Sequence, residues 1–143
     1  MNIVLIRAVS SDLDYLWWLR QHTMVAHLER QGLYYDHSEH LSKIQEHFDC
    51  AHIIWVDGVK TGLLKFVSTA QQVDIKQLQI APLWQGKGLG RAILLDLFTC
   101  HPRKHYVLTV LKNNPALRLY QRLGFNVVAE DQYEYHMQLS MVE

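Results

Sequence analysis

The stretch Gln85-Gly86-Lys87-Gly88-Leu89-Gly90 decides the fold. Three glycines alternate with other residues. They follow a strand-like run ending at Ile80-Ala81-Pro82 and open a helix-like run, Arg91-Ala92-Ile93-Leu94-Leu95-Asp96-Leu97-Phe98. A glycine turn at a helix N-terminus presents bare backbone N–H groups and the positive end of the helix dipole. That combination is a phosphate cradle. Strand, glycine loop and helix in sequence imply an α/β fold with a phosphorylated ligand.

Three phosphate-binding patterns compete for this loop. A Walker A loop needs Gly-Lys followed by Ser or Thr, and no such triplet occurs. A Rossmann fingerprint needs G-x-G-x-x-G with an acid about 20 residues on. Counted from Gly86, the last glycine position holds Arg91; counted from Gly88, it holds Ile93. No acid lies between Asp96 and Glu130. The third pattern, Q/R-x-x-G-x-G/A, is met by Gln85, Gly88 and Gly90. In this loop the sequence resembles the GNAT N-acetyltransferase superfamily, whose members use it to hold the pyrophosphate of acetyl-CoA.

A second block carries the same resemblance. Asn113, Ala116, Leu119, Tyr120, Gly124 and Phe125 fall on the superfamily's pattern N-x-x-A-x-x-L/F-Y-x-x-x-G-F. Local physics supports a short helix there. Asn114 is a good N-cap, Pro115 suits the first helical position, and Gly124 suits the position just past the helix end. The resemblance follows the element order of the whole chain and is sharpest over residues 75–125.

Composition narrows the class. The 143 residues suffice for a single domain, 1–143, with a real core. Hydrophobic residues make up 49% and charged residues 20%, as in a soluble globular protein. Lysine plus arginine equals aspartate plus glutamate, at 14 each, so no basic field marks nucleic acid as the partner. The short apolar run from Met1 to Val9 does not read as a signal peptide. No stretch approaches the ~18 apolar residues of a membrane span. Cys50 and Cys100 have no metal spacing and fit free thiols in a reducing cytoplasm.

Along the chain, Asn2 to Arg7 reads as a strand. Ser11 with Asp14 resembles a capping box that starts a long helix to about Arg30, with Leu13, Leu16, Trp17, Met24 and Leu28 facing the core. His37 to Phe48 reads as a second helix. Strands at Ala51 to Val56 and Thr61 to Ser68 flank Asp57-Gly58, a strong hairpin signal. Val73 to Ile80 is a strand whose apolar phase changes between Ile75 and Leu78, as a β-bulge would produce. A helix over Leu89 to Thr99, a strand over His105 to Leu111, a helix over Pro115 to Leu123 and a hairpin of Phe125 to Ala129 with Tyr133 to Ser140 complete the order. It fits a mixed central sheet with helices on both faces. In the resembled family two parallel strands of that sheet splay apart after the bulge. The helix between those strands makes a right-handed crossover.

The resemblance implies roles for particular residues. Gln85, Gly86, Lys87, Gly88, Gly90 and Arg91 form the pyrophosphate cradle; Lys87 and Arg91 either add charge to it or are solvated loop charges. Main-chain groups of Leu78 and Ile80 pair with the pantetheine arm and the thioester carbonyl, an oxyanion-type stabilisation by fixed dipoles. Asn113 and Ala116 contact the pantetheine arm. Tyr120 acts as general acid toward the departing thiolate, a role its unperturbed pKa of about 10 suits. Trp84 packs. Many relatives carry a glutamate as general base where this chain has Gln77. An amide accepts no proton near neutral pH but can position water or substrate. Glu134, His136 and Asp36 are left as alternative bases, with a water chain as another. Tyr34 and Tyr35 fall where acceptor loops usually lie.

Nine histidines raise the question of a metal. His37, His40 and His47 share one side of the second predicted helix, but no zinc signature accompanies them, and none is expected to bind metal. The sequence therefore implies an acetyl-CoA-dependent N-acetyltransferase acting in a ternary complex on a primary amine, on a small molecule or a protein. No cysteine lies in either motif to carry an acyl-enzyme. A non-catalytic acyl-CoA-binding sensor is the alternative, with an acyl-CoA hydrolase a weaker third. No membrane or nucleic-acid partner is expected, and homodimers are frequent in the resembled family.

Overall fold

Turn glycines and β-branched runs set out the strands. The computed structural model describes residues 1–142. Among these residues the strands are β1 (Ile3–Arg7), β2 (Ala51–Val56), β3 (Val59–Ser68), β4 (Gln72–Ile80), β5 (His105–Leu111), β6 (Asn126–Glu130) and β7 (Glu134–Ser140). The α-helices are α1 (Leu13–Thr23), α2 (Val25–Arg30), α3 (His37–Gln45), α4 (Leu89–Cys100) and α5 (Ala116–Arg122). The seven strands run in the order β1-β2-β3-β4-β5-β7-β6. The sheet is mixed: β4 and β5 are parallel, while β1–β2, β2–β3, β5–β7 and β6–β7 are antiparallel. This is the α/β class the sequence implies. The chain divides into two compact units, one of Met1–Lys65 with Gln77–Gln85, the other of Phe66–Lys76 with the chain from Gly86 onward.

In the first unit the β2–β3 hairpin turns on Asp57 and Gly58, whose φ values of 50° and 81° are both positive, as a type I′ turn requires. Apolar residues of α1, α3, β2 and β3 make the core. Leu16, Leu19, Ile44, Ala51, Ile53 and Leu63 are buried together, with Trp17, Phe48, Trp55 and Trp84 packed against them. Trp84 therefore has the packing role expected of it.

Three expectations fail in this unit, each for a local reason. The long helix to Arg30 is two helices that meet at Met24, whose φ is stretched to −111° while its N–H still bonds the Arg20 carbonyl at 2.9 Å. No side chain caps the start of α1: the Asp12 Oδ2 accepts the Val9 N–H at 2.9 Å across the preceding turn, and the expected pairing of Ser11 with Asp14 is not made. The second predicted helix stops at Gln45, and His47 stands outside it in the left-handed region at φ 57°. Buried polar side chains close the end of α3. The Lys65 ammonium donates to the carbonyls of Ile44 at 2.9 Å and Glu46 at 2.5 Å, satisfying helix-end acceptors. Burial pushes Lys65 down to about 8.

β4 also corrects the sequence reading. Burial along it falls on Val73, Ile75 and Gln79, with no change of phase, and Leu78 and Ile80 are only half-buried. Gln79 takes the interior position, with its Oε1 3.4 Å from the Thr23 hydroxyl, which donates more closely to the Leu19 carbonyl at 2.7 Å. β3 lies close against β4 at Gly62, where a Cβ would overlap the Gln79 carbonyl oxygen. Gly62→Ala is therefore expected to cost roughly 3 kcal/mol, since backbone rather than a side-chain tip must move. Urea unfolding checks this; a loss below about 0.5 kcal/mol would mean that the strands separate easily.

In the second unit β4 and β5 pair over Gln72–Ile75 and His105–Leu108 only. β5 keeps β7 as its partner through Leu111. A line of aromatic contacts ties the helices to the sheet: Tyr120 to Phe125 at 5.8 Å, Phe125 to Phe98 at 6.4 Å and Phe98 to Tyr106 at 4.8 Å. The Tyr106 hydroxyl anchors the end of α4 by donating to the carbonyls of Leu97 at 2.9 Å and His101 at 2.7 Å.

Candidate functional site

The glycine loop is built as the sequence suggests, with a division of labour among its glycines. Gly86 and Gly88 have φ of 73° and 79°, and a Cβ on either would meet nothing within 4 Å. Both are needed for backbone conformation, and the space beside them is open. Gly90 serves packing instead. A Cβ there would lie 3.1 Å from the Leu119 side chain, so Gly90 lets α4 and α5 approach closely. Gly88 caps α4, and the first bond of the helix runs from the Ala92 N–H to the Gly88 carbonyl at 3.0 Å. The N–H groups of Leu89, Gly90 and Arg91 are thus left without intrahelical acceptors at the positive end of a 12-residue helix. Lys87 and Arg91 are exposed beside them.

α5 is held at both ends by the residues of the second motif. The Asn114 Oδ1 accepts the Ala116 N–H at 3.0 Å, the capping role expected of it. At the other end Gly124 has φ 104°. The Phe125 N–H donates to the Tyr120 carbonyl at 3.0 Å, and the Gly124 N–H to the Gln121 carbonyl at 3.1 Å. These two bonds make a Schellman motif, and the Tyr120–Phe125 ring contact is its accompanying apolar clasp. Tyr, Gly and Phe in this pattern are therefore one helix stop. It buries Tyr120 to 5% exposure. Burial alone pushes the phenol up to about 12, so the hydroxyl stays protonated across the physiological range. Asn113 is exposed on the turn leading into α5, and Ala116 begins the helix half-buried.

In the first unit Gln77, Leu78 and Ile80 lie half-buried on β4. The Gln85 amide donates to the Ile80 carbonyl at 2.8 Å. Gln85 thereby fixes the turn that delivers the glycine loop, and the Ile80 carbonyl already has one donor.

The alternative bases fare differently. Asp36 is the N-cap of α3, accepting the Glu39 N–H at 2.8 Å, and is engaged in structure. Glu134 and His136 lie on β7. The His136 ring stands between Thr109, whose Oγ1 is 3.1 Å from Nδ1, and Asp131, whose Oδ2 is 3.4 Å from Nε2. Sequence reasoning missed both partners. Only the strand register, which pairs Thr109 with His136, reveals the first of them.

It also missed Arg20, buried on α1 with Nε donating to the His40 Nδ1 at 2.9 Å. Burial, then the neighbouring guanidinium, lowers the His40 pKa. His40 is thus a neutral internal acceptor, and the helix side shared by His37 and His40 is filled by Trp17, whose ring centroid is 4.3 Å from that of His37. Among the described residues no group of three or more His, Cys, Asp or Glu is arranged to hold a metal ion. No described helix is long and apolar enough to cross a membrane. Tyr34 is exposed in the loop before α3, and Tyr35 packs its edge on His40 at 5.4 Å.

Comparison with known proteins gives this geometry its family. The model of the acetyltransferase (GNAT) domain matches residues 48–127. The peptidyl-lysine N-acetyltransferase YiaC of Escherichia coli K12 is 35% identical over 75 residues, 52% of this chain and 50% of that protein. The spermidine N(1)-acetyltransferase of the same organism is 31% identical over 117 residues, 77% of this chain and 60% of that protein. The chain therefore spans between half and 60% of the length of these curated relatives. Among solved structures, the PaiA N-acetyltransferase of Thermoplasma acidophilum, in complex with coenzyme A, shares the fold with a TM-score of 0.74 at 18% identity, covering 98% of this chain and 99% of that one. With the domain match extending from the strand pair through the glycine loop to the helix stop, the chain belongs to the GNAT acetyltransferase family.

Proposed function

We propose that the chain is an acetyl-CoA-dependent N-acetyltransferase that moves the acetyl group to a primary amine by direct attack in a ternary complex. The observation that carries this reading is the glycine loop on α4, packed through Gly90 against the helix that bears Tyr120. The open N–H groups of Leu89, Gly90 and Arg91, with the room beside Gly86 and Gly88, fit a pyrophosphate. Lys87 and Arg91 supply neutralising charge. Asn113 and the first turn of α5 hold the pantetheine arm, and the main chain of Leu78 and Ile80 supports the arm and thioester carbonyl. Tyr120 donates its hydroxyl proton toward the leaving sulfur.

Both curated relatives take acceptors with primary amines, peptidyl lysine in one and spermidine in the other. This chemistry is carried to the present chain as the acceptor class. A homodimer and a cytoplasmic setting, in keeping with the two unbridged cysteines, complete the reading.

The test is CoA release from acetyl-CoA with spermidine, a lysine-containing peptide and a panel of simple amines, between about pH 6 and 9. Amine-dependent release is expected. Tight acetyl-CoA binding without turnover on any amine would favour the second reading, a sensor that keeps the cradle and has lost transfer. Gln77, in the place where relatives carry an acid, is the residue that favours it.

A further inference from the structure

If the chain transfers acetyl groups, it needs a proton acceptor for the incoming ammonium, and Gln77 cannot serve. The second unit holds a group that can. His136 lies on β7 with side-chain exposure of 42%. Its Nε2 faces Asp131 Oδ2 at 3.4 Å. Asp131 is itself fixed, because its Oδ1 accepts the N–H groups of Tyr133 at 2.9 Å and Glu134 at 2.8 Å. Those bonds, Tyr133 first, hold its carboxyl below the usual range and favour the carboxylate.

This arrangement sets the tautomer. A carboxylate accepts only, so Nε2 carries the hydrogen and Nδ1 is the basic nitrogen. Nδ1 meets Thr109 Oγ1 at 3.1 Å, and the hydroxyl donates to it. Asp131, His136 and Thr109 thus form a directed chain, ending in the hydroxyl of an exposed residue.

The position of that hydroxyl is the second observation. The last rung between β4 and β5 joins Ile75 to Leu108. Thr109 is the next residue, where β5 loses its parallel neighbour and runs on toward Asn113. Thr109 and His136 share one face of the sheet, while their neighbours Leu108 and Met137 are buried on the other.

We infer that His136, oriented by Asp131 and reached through the Thr109 hydroxyl, is the proton acceptor for the amine. The inference rests on the acetyl-transfer reading above. The ammonium gives a proton to Thr109 Oγ1 as the Thr109 proton passes to His136 Nδ1. The neutral amine attacks the thioester carbonyl, the C–N bond forms and the C–S bond breaks. The thiolate takes its proton from Tyr120, the second proton leaving the nitrogen as the amide forms returns through solvent to the Tyr120 phenolate, and the imidazolium, paired with Asp131, releases its own to solvent. Charged groups around His136 are Asp131 on the turn and Glu134 two residues earlier on β7. On the β6 side, Ala129 stands opposite His136, followed by Glu130, which pairs with Lys112 at 3.7 Å. On β5, Thr109 stands between uncharged Leu108 and Val110.

The test uses the full chain with spermidine and a lysine-containing peptide as acceptors, over a pH series. His136→Gln is expected to lower kcat/KM for the amine about 100-fold, to remove the acid limb of its pH profile, and to leave acetyl-CoA affinity within about twofold. Thr109→Val is expected to lower kcat/KM about tenfold with affinity unchanged, and Thr109→Ser to restore it. Thr109→Val also reads the chain should His136→Gln fail to fold. Kinetics within about threefold of the parent in both variants, with the acid limb retained, would overturn the inference and leave the transfer reading standing. A parent protein that binds acetyl-CoA yet turns over neither amine would overturn the transfer reading, and the base with it.

Discussion

Gly88→Val is expected to abolish measurable acetyl-CoA binding, at least a 100-fold loss, while the protein stays folded. Gly88 caps α4 at φ 79°, a conformation that a β-branched residue resists. Holding a side chain there costs roughly 1–2 kcal/mol. Nothing stands within 4 Å of the Cβ position, so the core is not disturbed and the stability loss should stay near that figure. The effect on the ligand is far larger, for two reasons. A valine relaxes by turning φ negative, which swings the Leu89 and Gly90 N–H groups off a common point. If it does not relax, its methyl groups fill the open space beside the loop. Isothermal titration with acetyl-CoA, together with a thermal melt, reads both quantities. Retained affinity with a normal melt would take the pyrophosphate away from this loop.

Tyr120→Phe is expected to lower kcat by about 100- to 1,000-fold with acetyl-CoA affinity within about threefold. The variant keeps the ring contact with Phe125 and the whole helix stop, because those involve backbone and ring carbon only. What is lost is a proton held at a pKa of about 12 by burial. The sign of that shift has a second consequence. The native state favours the neutral phenol, so its contribution to stability is complete below the unfolded value near 10 and is lost as pH rises toward 12. Tyr15 and Tyr106 are pushed up to about 12 as well, so alkaline unfolding should set in above about pH 10, and later in the phenylalanine variant. Pre-steady-state CoA release gives the rate, and melts between about pH 8 and 11 give the linkage. An unchanged kcat would remove Tyr120 from the acid role.

What was legible in the sequence was local. Gly86 and Gly88 announce left-handed turns, Asp57-Gly58 announces its hairpin, and Asn114 with Gly124 brackets α5, because backbone geometry at these places depends on a few neighbouring residues. The buried polar groups were not legible. Nothing near Gln79, Arg20 and Lys65 in the sequence marks them as buried, because the groups beside them, Thr23, His40 and the carbonyls at the end of α3, lie 56, 20 and about 20 residues away. The apparent phase change in β4 arose the same way: Leu78 and Ile80 are apolar, yet Gln79 takes the interior position. His136 was visible as a histidine on a strand. Its direction was not, because Thr109 meets it only through the β5–β7 register, 27 residues apart.

The helix stop at Gly124 sets a rule for chain length. Four residues separate Tyr120 from Phe125, and both bonds of the motif count residues rather than distance. A single insertion or deletion between them would either turn the phenol away or pull Phe125 out of its contacts, whatever residue was added. Spacing here is itself under constraint. The turn around Asp131 is exposed, but its carboxylate bonds the second and third residues that follow, so a second stretch of fixed length lies within 11 residues of the first. Between them lies exposed β6, whose register against β7 shifts between Val127 and Ala129, so an extra residue is absorbed there and not in either fixed stretch.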